Sequence, residues 1–107
     1  MEKYQILKLD ERLDSGNVGI FKKNTGAIIN SDVSAVILDF SQTKFIDSIG
    51  LGSLVSILKQ TAHNNISIIL CSLSPQVRQI FELTRLYRLF NIFESLEDAE
   101  KSIIKPE

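Results

Sequence analysis

Few residues in this chain are suited to chemistry, and those few do not assemble into an enzyme's set. The stretch "KFIDSIGLGSLVSIL", residues 44–58, holds an acid and a hydroxyl, Asp47 and Ser48, followed by Gly50 and Gly52. A serine nucleophile needs a base within hydrogen-bond reach. The one histidine, His63, lies some fifteen helical residues further on, which is about 22 Å of helix. Next to Asn64 and Asn65 it reads as a solvated helix-end residue. No second histidine or cysteine cluster completes a metal site. The single cysteine, Cys71, sits in the apolar run "ISIILCSL" and reads as a small buried core residue with no disulfide partner. A reactive thiol would want a basic or helix-N-terminal setting, and none is evident around it. The glycines suggest phosphate binding, but a dinucleotide fingerprint needs a third glycine or alanine where Val55 stands. The Gly-Lys-Ser/Thr ending of a phosphate-binding loop is also missing, so nucleotide binding is disfavoured.

What remains is the placement of Ser48 between a buried strand and a helix whose first backbone N–H groups lack partners. Two readings stand side by side. Asp47 or Ser48 caps the helix, an everyday role for both residue types. Alternatively, the turn lifts Ser48 to the surface where a kinase can reach it. Gly50 and Gly52 lack a Cβ, which would let a partner's backbone approach closely. Physical chemistry alone leaves both readings open.

The flanking elements follow from periodicity. "YQILKL", residues 4–9, alternates like a strand, with Tyr4 and Ile6 on one side and Leu7 and Leu9 on the other. "DERLDSGN" breaks it as a turn. Val18, Phe21, Thr25, Ile28 and Ile29 recur at helical spacing, with Ser15 or Asn17 as N-cap. "AVILDF", residues 35–40, and "ISIILCSL", residues 66–73, are near-continuous apolar runs, as expected of strands covered on both faces. Between them Leu51, Leu54, Val55, Leu58 and Ala62 mark the clearest amphipathic helix, closed at "HNN". Ser74 and Pro75 start the next helix, whose inner face is Val77, Ile80, Phe81 and Thr84. "YRLFNIF", residues 87–93, reads as a last strand, and Ser95 with Asp98 as the capping pattern of a closing helix. The tail "KPE" is expected to fray.

Strand and helix thus alternate four times, predicting an α/β fold with a mostly parallel sheet of about four strands and about four helices. The 107 residues suit one domain spanning 1–107, without linker or repeat. A 44% hydrophobic and 23% charged composition is that of a soluble globular domain. A net charge of −1 offers no basic excess for nucleic acid. The N-terminus lacks a signal-peptide pattern, and no apolar run has the roughly 18–20 residues a membrane span needs. The expectation is a cytoplasmic monomer with no membrane insertion.

The central motif, "FIDSIGLGSLVSILK", resembles the signature of STAS-domain proteins, specifically the bacterial anti-sigma factor antagonists. That pattern is apolar–Asp–Ser–small–Gly–Leu–Gly between a strand and a helix. Asp47, Ser48, Gly50, Leu51 and Gly52 match it, while Ile49 is bulkier than the usual Ser, Thr or Ala. "AVILDFSQTKFIDS" and "SIILCSLSPQVRQIFELTRLYRLFNIFESLEDA" also resemble the family. Upstream, "ERLD" is similar to its "G-x-L/I-D", with Glu11 in place of the glycine. The resemblance implies a STAS fold and a partner switch. Ser48 would be phosphorylated by a partner that is both serine kinase and anti-sigma factor. Only the unmodified form would bind that kinase, and a PP2C-type serine phosphatase would reset it. Asp14, Asp47, Ser48, Ile49, Gly50, Leu51 and Gly52 would form the partner surface. The chain would be substrate and ligand, with no cofactor, metal or catalysis of its own.

Three rivals compete with this reading. One is a STAS subunit that is never phosphorylated, seated in a membrane-associated or lipid-transport complex; the bulk of Ile49 keeps it in play, and the intact Asp47-Ser48 and Asp14 argue against it. The second, a nucleotide-binding or enzymatic α/β domain, lacks the lysine, histidines and third glycine. The third, a cytoplasmic portion of an anion transporter, is disfavoured by the initiating methionine and the lack of a membrane segment.

Overall fold

The computed structural model describes residues 3–104, so the "KPE" tail lies outside the described residues. Four strands form one fully parallel sheet: β1 (Tyr4–Lys8), β3 (Ala35–Asp39), β5 (Ser67–Cys71) and β6 (Asn91–Phe93), adjacent in that order. Four helices connect or close them: α1 (Val18–Ile29), α2 (Ser48–His63), α3 (Pro75–Thr84) and α4 (Leu96–Ile103). A second, two-stranded parallel sheet pairs β2 (Arg12–Leu13) with β4 (Phe45–Ile46).

The apolar runs became the central strands because both sheet faces are covered. Along β3 every residue from Ala35 to Asp39 is buried. Val36, Leu38 and Phe40 join Ile68 and Leu70 beneath Phe21, Ile28, Leu54, Ile57, Val77 and Phe81 of α1–α3. Phe81 stands edge-on between Phe40 and Phe90, at centroid distances of 6.3 and 5.9 Å. The opposite face is covered by α4, where Ile37, Ile69 and Cys71 meet Ala99 and are flanked by Tyr4, Phe93, Leu96 and Ile103. The expected alternation of β1 holds, with Tyr4 on the α4 side and Leu7 and Leu9 on the other.

Caps set the helix starts as expected at Ser74, whose Oγ accepts from the Val77 N–H at 3.3 Å, and at Ser95, whose Oγ accepts from the Asp98 N–H at 3.1 Å. Four expectations are corrected. The last strand begins at Asn91, because residues Leu86–Arg88 form a 3-10 turn after Arg85 enters the left-handed region at φ 62°. "DERLDSGN" is not only a turn, since Arg12 and Leu13 pair with Phe45 and Ile46. The inward stripe of α2 is Gly50, Ser53, Leu54, Ile57 and Thr61, with Ala62 exposed. Small and hydroxylated residues fill it because Ser53 and Thr61 donate to the carbonyls of Gly50 and Leu58, at 2.6 and 2.9 Å. Thr84, expected on the inner face of α3, is likewise exposed.

The α4 face also holds two groups that keep their protons. Burial pushes the Cys71 thiol up, and the Tyr4 hydroxyl is raised chiefly because it donates to the Glu100 carboxylate at 2.6 Å. Folding therefore disfavours the deprotonated form of each. Stability is unaffected below about pH 7.5, where both are neutral even when unfolded, and is lost as pH rises through the thiol and phenol ranges. Thermal melts between about pH 8 and 10.5 should show a falling midpoint; a flat profile would contradict this account.

Candidate functional site

The motif sits where the two small strands end. β2 and β4 run parallel with Leu13 beside Ile46, so the chain leaves both strands side by side and enters α1 and α2. Asp47 joins the two exits. Its backbone is extended (φ −99°, ψ −177°), the usual N-cap conformation. Its Oδ1 accepts from the Gly50 N–H at 2.8 Å, and its Oδ2 accepts from the Ser15 N–H in the neighbouring loop at 3.2 Å. The capping reading of Asp47 is therefore correct, and the same carboxylate braces a second segment. Asp47→Ala should cost about 1–2 kcal/mol, the usual range for a lost cap. Urea denaturation measures it, and Asp47→Asn, which keeps an acceptor, should lose less.

Ser48 is the first helical residue of α2 and is exposed, as is Ile49 with 51% of its surface accessible. Leu51 is half-buried and Gly52 exposed. Gly50 is different. It is buried, and a Cβ placed there would stand 2.2 Å from the Leu13 carbonyl oxygen and 2.9 Å from its carbon. The close backbone approach at Gly50 is thus made by this chain's own β2. Around Gly52 there is open space, so the approach proposed for a partner applies to Gly52 alone.

Asp14 lies at the equivalent exit of β2. Its Oδ1 accepts from the Gly16 N–H at 2.9 Å, and its Oδ2 pairs with the Arg12 Nε at 3.0 Å. Asn17 occupies the expected N-cap position of α1, but its side chain looks backward. Its Oδ1 accepts from the Asp14 N–H, and its Nδ2 donates to the Arg12 carbonyl. The structure so brings Asp14, Asp47, Ser48 and Ile49 to one end of the molecule. His63 stands at the opposite end of α2, and Cys71 is fully buried in the sheet. Among the described residues no three acidic, histidine or cysteine side chains cluster as metal ligands, and no helix is long and apolar enough to cross a membrane. Sequence reasoning missed Leu13, Ser15 and Arg12. The available signal was the near-identity of "LDS" at 13–15 and "IDS" at 46–48.

The model of the STAS domain matches residues 2–99. The chain belongs to the STAS domain family. Among solved structures, this STAS domain is similar to the anti-sigma factor antagonist SpoIIAA in its unphosphorylated form. That match has 25% identity and a TM-score of 0.78, covering 94% of this chain and 89% of SpoIIAA. A proposed anti-sigma factor antagonist from Thermotoga maritima superposes with a TM-score of 0.83 at 26% identity, covering 94% and 88% of the two chains. The murine anion transporter Slc26a9 contains the same fold, with a TM-score of 0.84 at 21% identity over 96% of this chain and 18% of the transporter. Two curated proteins are similar in sequence. BtrV of Bordetella bronchiseptica, a proposed anti-sigma factor antagonist, is 28% identical over 72 residues, or 67% of this chain and 62% of BtrV. Mouse prestin is 43% identical over 54 residues, 50% of this chain and 7% of prestin. The aligned part is thus less than two thirds of either curated relative. The STAS domain described here has the fold of the anti-sigma factor antagonists.

Proposed function

We propose that this STAS domain is an anti-sigma factor antagonist whose unmodified form binds a serine-kinase anti-sigma factor and whose phosphorylation on Ser48 ends that binding. One observation carries the reading: Ser48 is exposed at the first turn of α2, while Asp47, not Ser48, caps the helix. The hydroxyl is therefore not needed by the fold. The partner surface is Asp14, Asp47, Ser48, Ile49, Leu51 and Gly52, with Gly50 beneath holding α2 against β2. Similarity to SpoIIAA and BtrV supports the choice of partner class. A PP2C-type serine phosphatase would hydrolyse the phosphoserine and restore the binding form.

Phosphate on Ser48 would add about −1.5 to −2 charges beside the Asp47 carboxylate. A helix N-terminus tolerates that charge, so the domain keeps its shape while the docking surface changes. The switch is then a steric and electrostatic block without refolding. The test is affinity capture from source-cell lysate on the immobilised unmodified chain. The expected result is retention of a serine kinase that transfers phosphate from ATP to Ser48, located by peptide mapping of the native chain against Ser48→Ala. A captured kinase that leaves Ser48 unmodified would overturn the reading. The rival, a STAS subunit of a transporter-like assembly, is favoured by the fold shared with Slc26a9, the local likeness to prestin and the bulk of Ile49.

A further inference from the structure

We propose that Ser15 is a second phosphoacceptor on this surface, serving the same kinase; the inference rests on the Ser48 reading. It comes from the way the two loops leave their strands. Leu13 and Ile46 are register partners in the β2–β4 ladder, so Asp14-Ser15 and Asp47-Ser48 continue from matched positions of two parallel strands. Each pair is an aspartate followed by an exposed serine, and each leads into a helix. Neither serine hydroxyl makes a hydrogen bond among the described residues, so both are free to react. The Ser15 N–H to Asp47 Oδ2 bond, at 3.2 Å, holds the two loops within a side chain's length of each other. A partner footprint of standard size, about 800 Å² on each side, that is centred on Ser48 takes in Ser15 as well.

The surroundings suit a phosphate on Ser15. The Arg12 guanidinium lies over the next residue: a Cβ on Gly16 would stand 3.3 Å from Arg12 Nη2 and 3.2 Å from Asp14 Oδ1. Arg12 is paired with Asp14 at 3.0 Å and is still 60% exposed, so it can turn to a new anion. Charge-assisted bonds from a guanidinium to phosphate are among the strongest available to a side chain. In the transfer, the Ser15 Oγ attacks the γ-phosphorus of Mg-ATP and an O–P bond forms. The bond from that phosphorus to the bridging oxygen of ADP breaks, and the hydroxyl proton passes to the kinase's base. The product places a dianion against the Asp47 carboxylate that Ser15 now braces. It would therefore disturb the same partner surface from the other loop.

The test is to isolate the chain and its Ser48→Ala, Ser15→Ala and doubly substituted forms from source cells under phosphatase inhibition. Phosphate is then localised by tandem mass spectrometry, with circular dichroism confirming that each variant is folded. The expected result is phosphate on Ser15 in Ser48→Ala, phosphate on Ser48 in Ser15→Ala, and none in the double variant. Phosphate on Ser48 in the native chain and Ser15→Ala, with none in Ser48→Ala, would overturn the Ser15 assignment and leave the Ser48 reading standing. A native chain without phosphate at either serine would overturn both. Phosphate on Ser15 alone in the native chain would support this inference and overturn Ser48 as acceptor.

Discussion

Gly50→Ala is expected to lower the stability of this STAS domain by about 3 kcal/mol or more, at or beyond the upper end for overpacking substitutions. The added methyl would meet the Leu13 carbonyl oxygen at 2.2 Å. The obstacle is backbone, and that carbonyl also accepts the Asp47 N–H at 3.3 Å, inside the β2–β4 junction. No rotamer change can relieve it. Either α2 must move away from β2, or the two-residue ladder must break. No glycine here has positive φ, so the requirement at position 50 is space and not a special backbone conformation. In a domain of this size each kcal/mol moves the midpoint by about 4–8 °C, so a loss of about 12 °C or more is expected. Gly52→Ala is the control. It has open space around the new methyl and gains helix propensity, so stability should stay level or rise by up to about 1 kcal/mol. Thermal and urea melts of both variants decide the matter. A Gly50→Ala protein as stable as Gly52→Ala would show that the Leu13 contact does not constrain the fold.

Ser48→Glu should separate stability from binding. The new carboxylate would sit in the first turn of α2, which has no acidic residue of its own. There the helix dipole stabilises a negative charge by about 0.3–1 kcal/mol, so the melting midpoint should hold or rise slightly. Partner binding should move the other way. The carboxylate adds to Asp47 and Asp14 on the proposed docking surface, where the unmodified chain presents a neutral hydroxyl, and a misplaced like charge at an interface costs several kcal/mol. A loss of about 100-fold in affinity corresponds to about 2.8 kcal/mol and is the minimum expected. Titration of the captured kinase with native and Ser48→Glu chains measures it. Equal affinities would show that charge at position 48 is not what the partner reads. A large drop in melting midpoint would show that Ser48 is structural after all.

The sequence made the sheet legible because burial on both faces leaves a plain signal. "AVILDF" and "SIILC" have no other low-energy place than between helices. The starts of α3 and α4 were equally legible, since Ser74-Pro75 and Ser95 act through bonds within three residues. The β2–β4 sheet was not. Its four residues carry no period of their own, and its existence depends on a partner more than thirty positions away. The inner face of α2 was legible at Leu54, with Leu51 and Leu58 packed at its edge, but not at Ala62, which is exposed. Apolar counting favours Ala62, whereas packing selects Thr61, whose hydroxyl is satisfied within the helix. At the site, the types and order of Asp47 and Ser48 were informative. The role of Gly50 was hidden, because a glycine that admits a partner and one that admits the chain's own backbone look alike in a string of letters.

The contact between Gly50 and Leu13 also sets where variation can occur. Position 50 admits no side chain, and drift there requires a compensating backbone change in the other loop. Its neighbours at 49 and 52 on the same turn face solvent, and substitutions there leave the core untouched. If these positions belong to the proposed partner surface, diverging copies of this domain could change partner at 49 and 52 while inheriting an unaltered scaffold. Under the proposed partner switch, insulation of parallel signalling lines would follow from a single immovable glycine between two mutable residues.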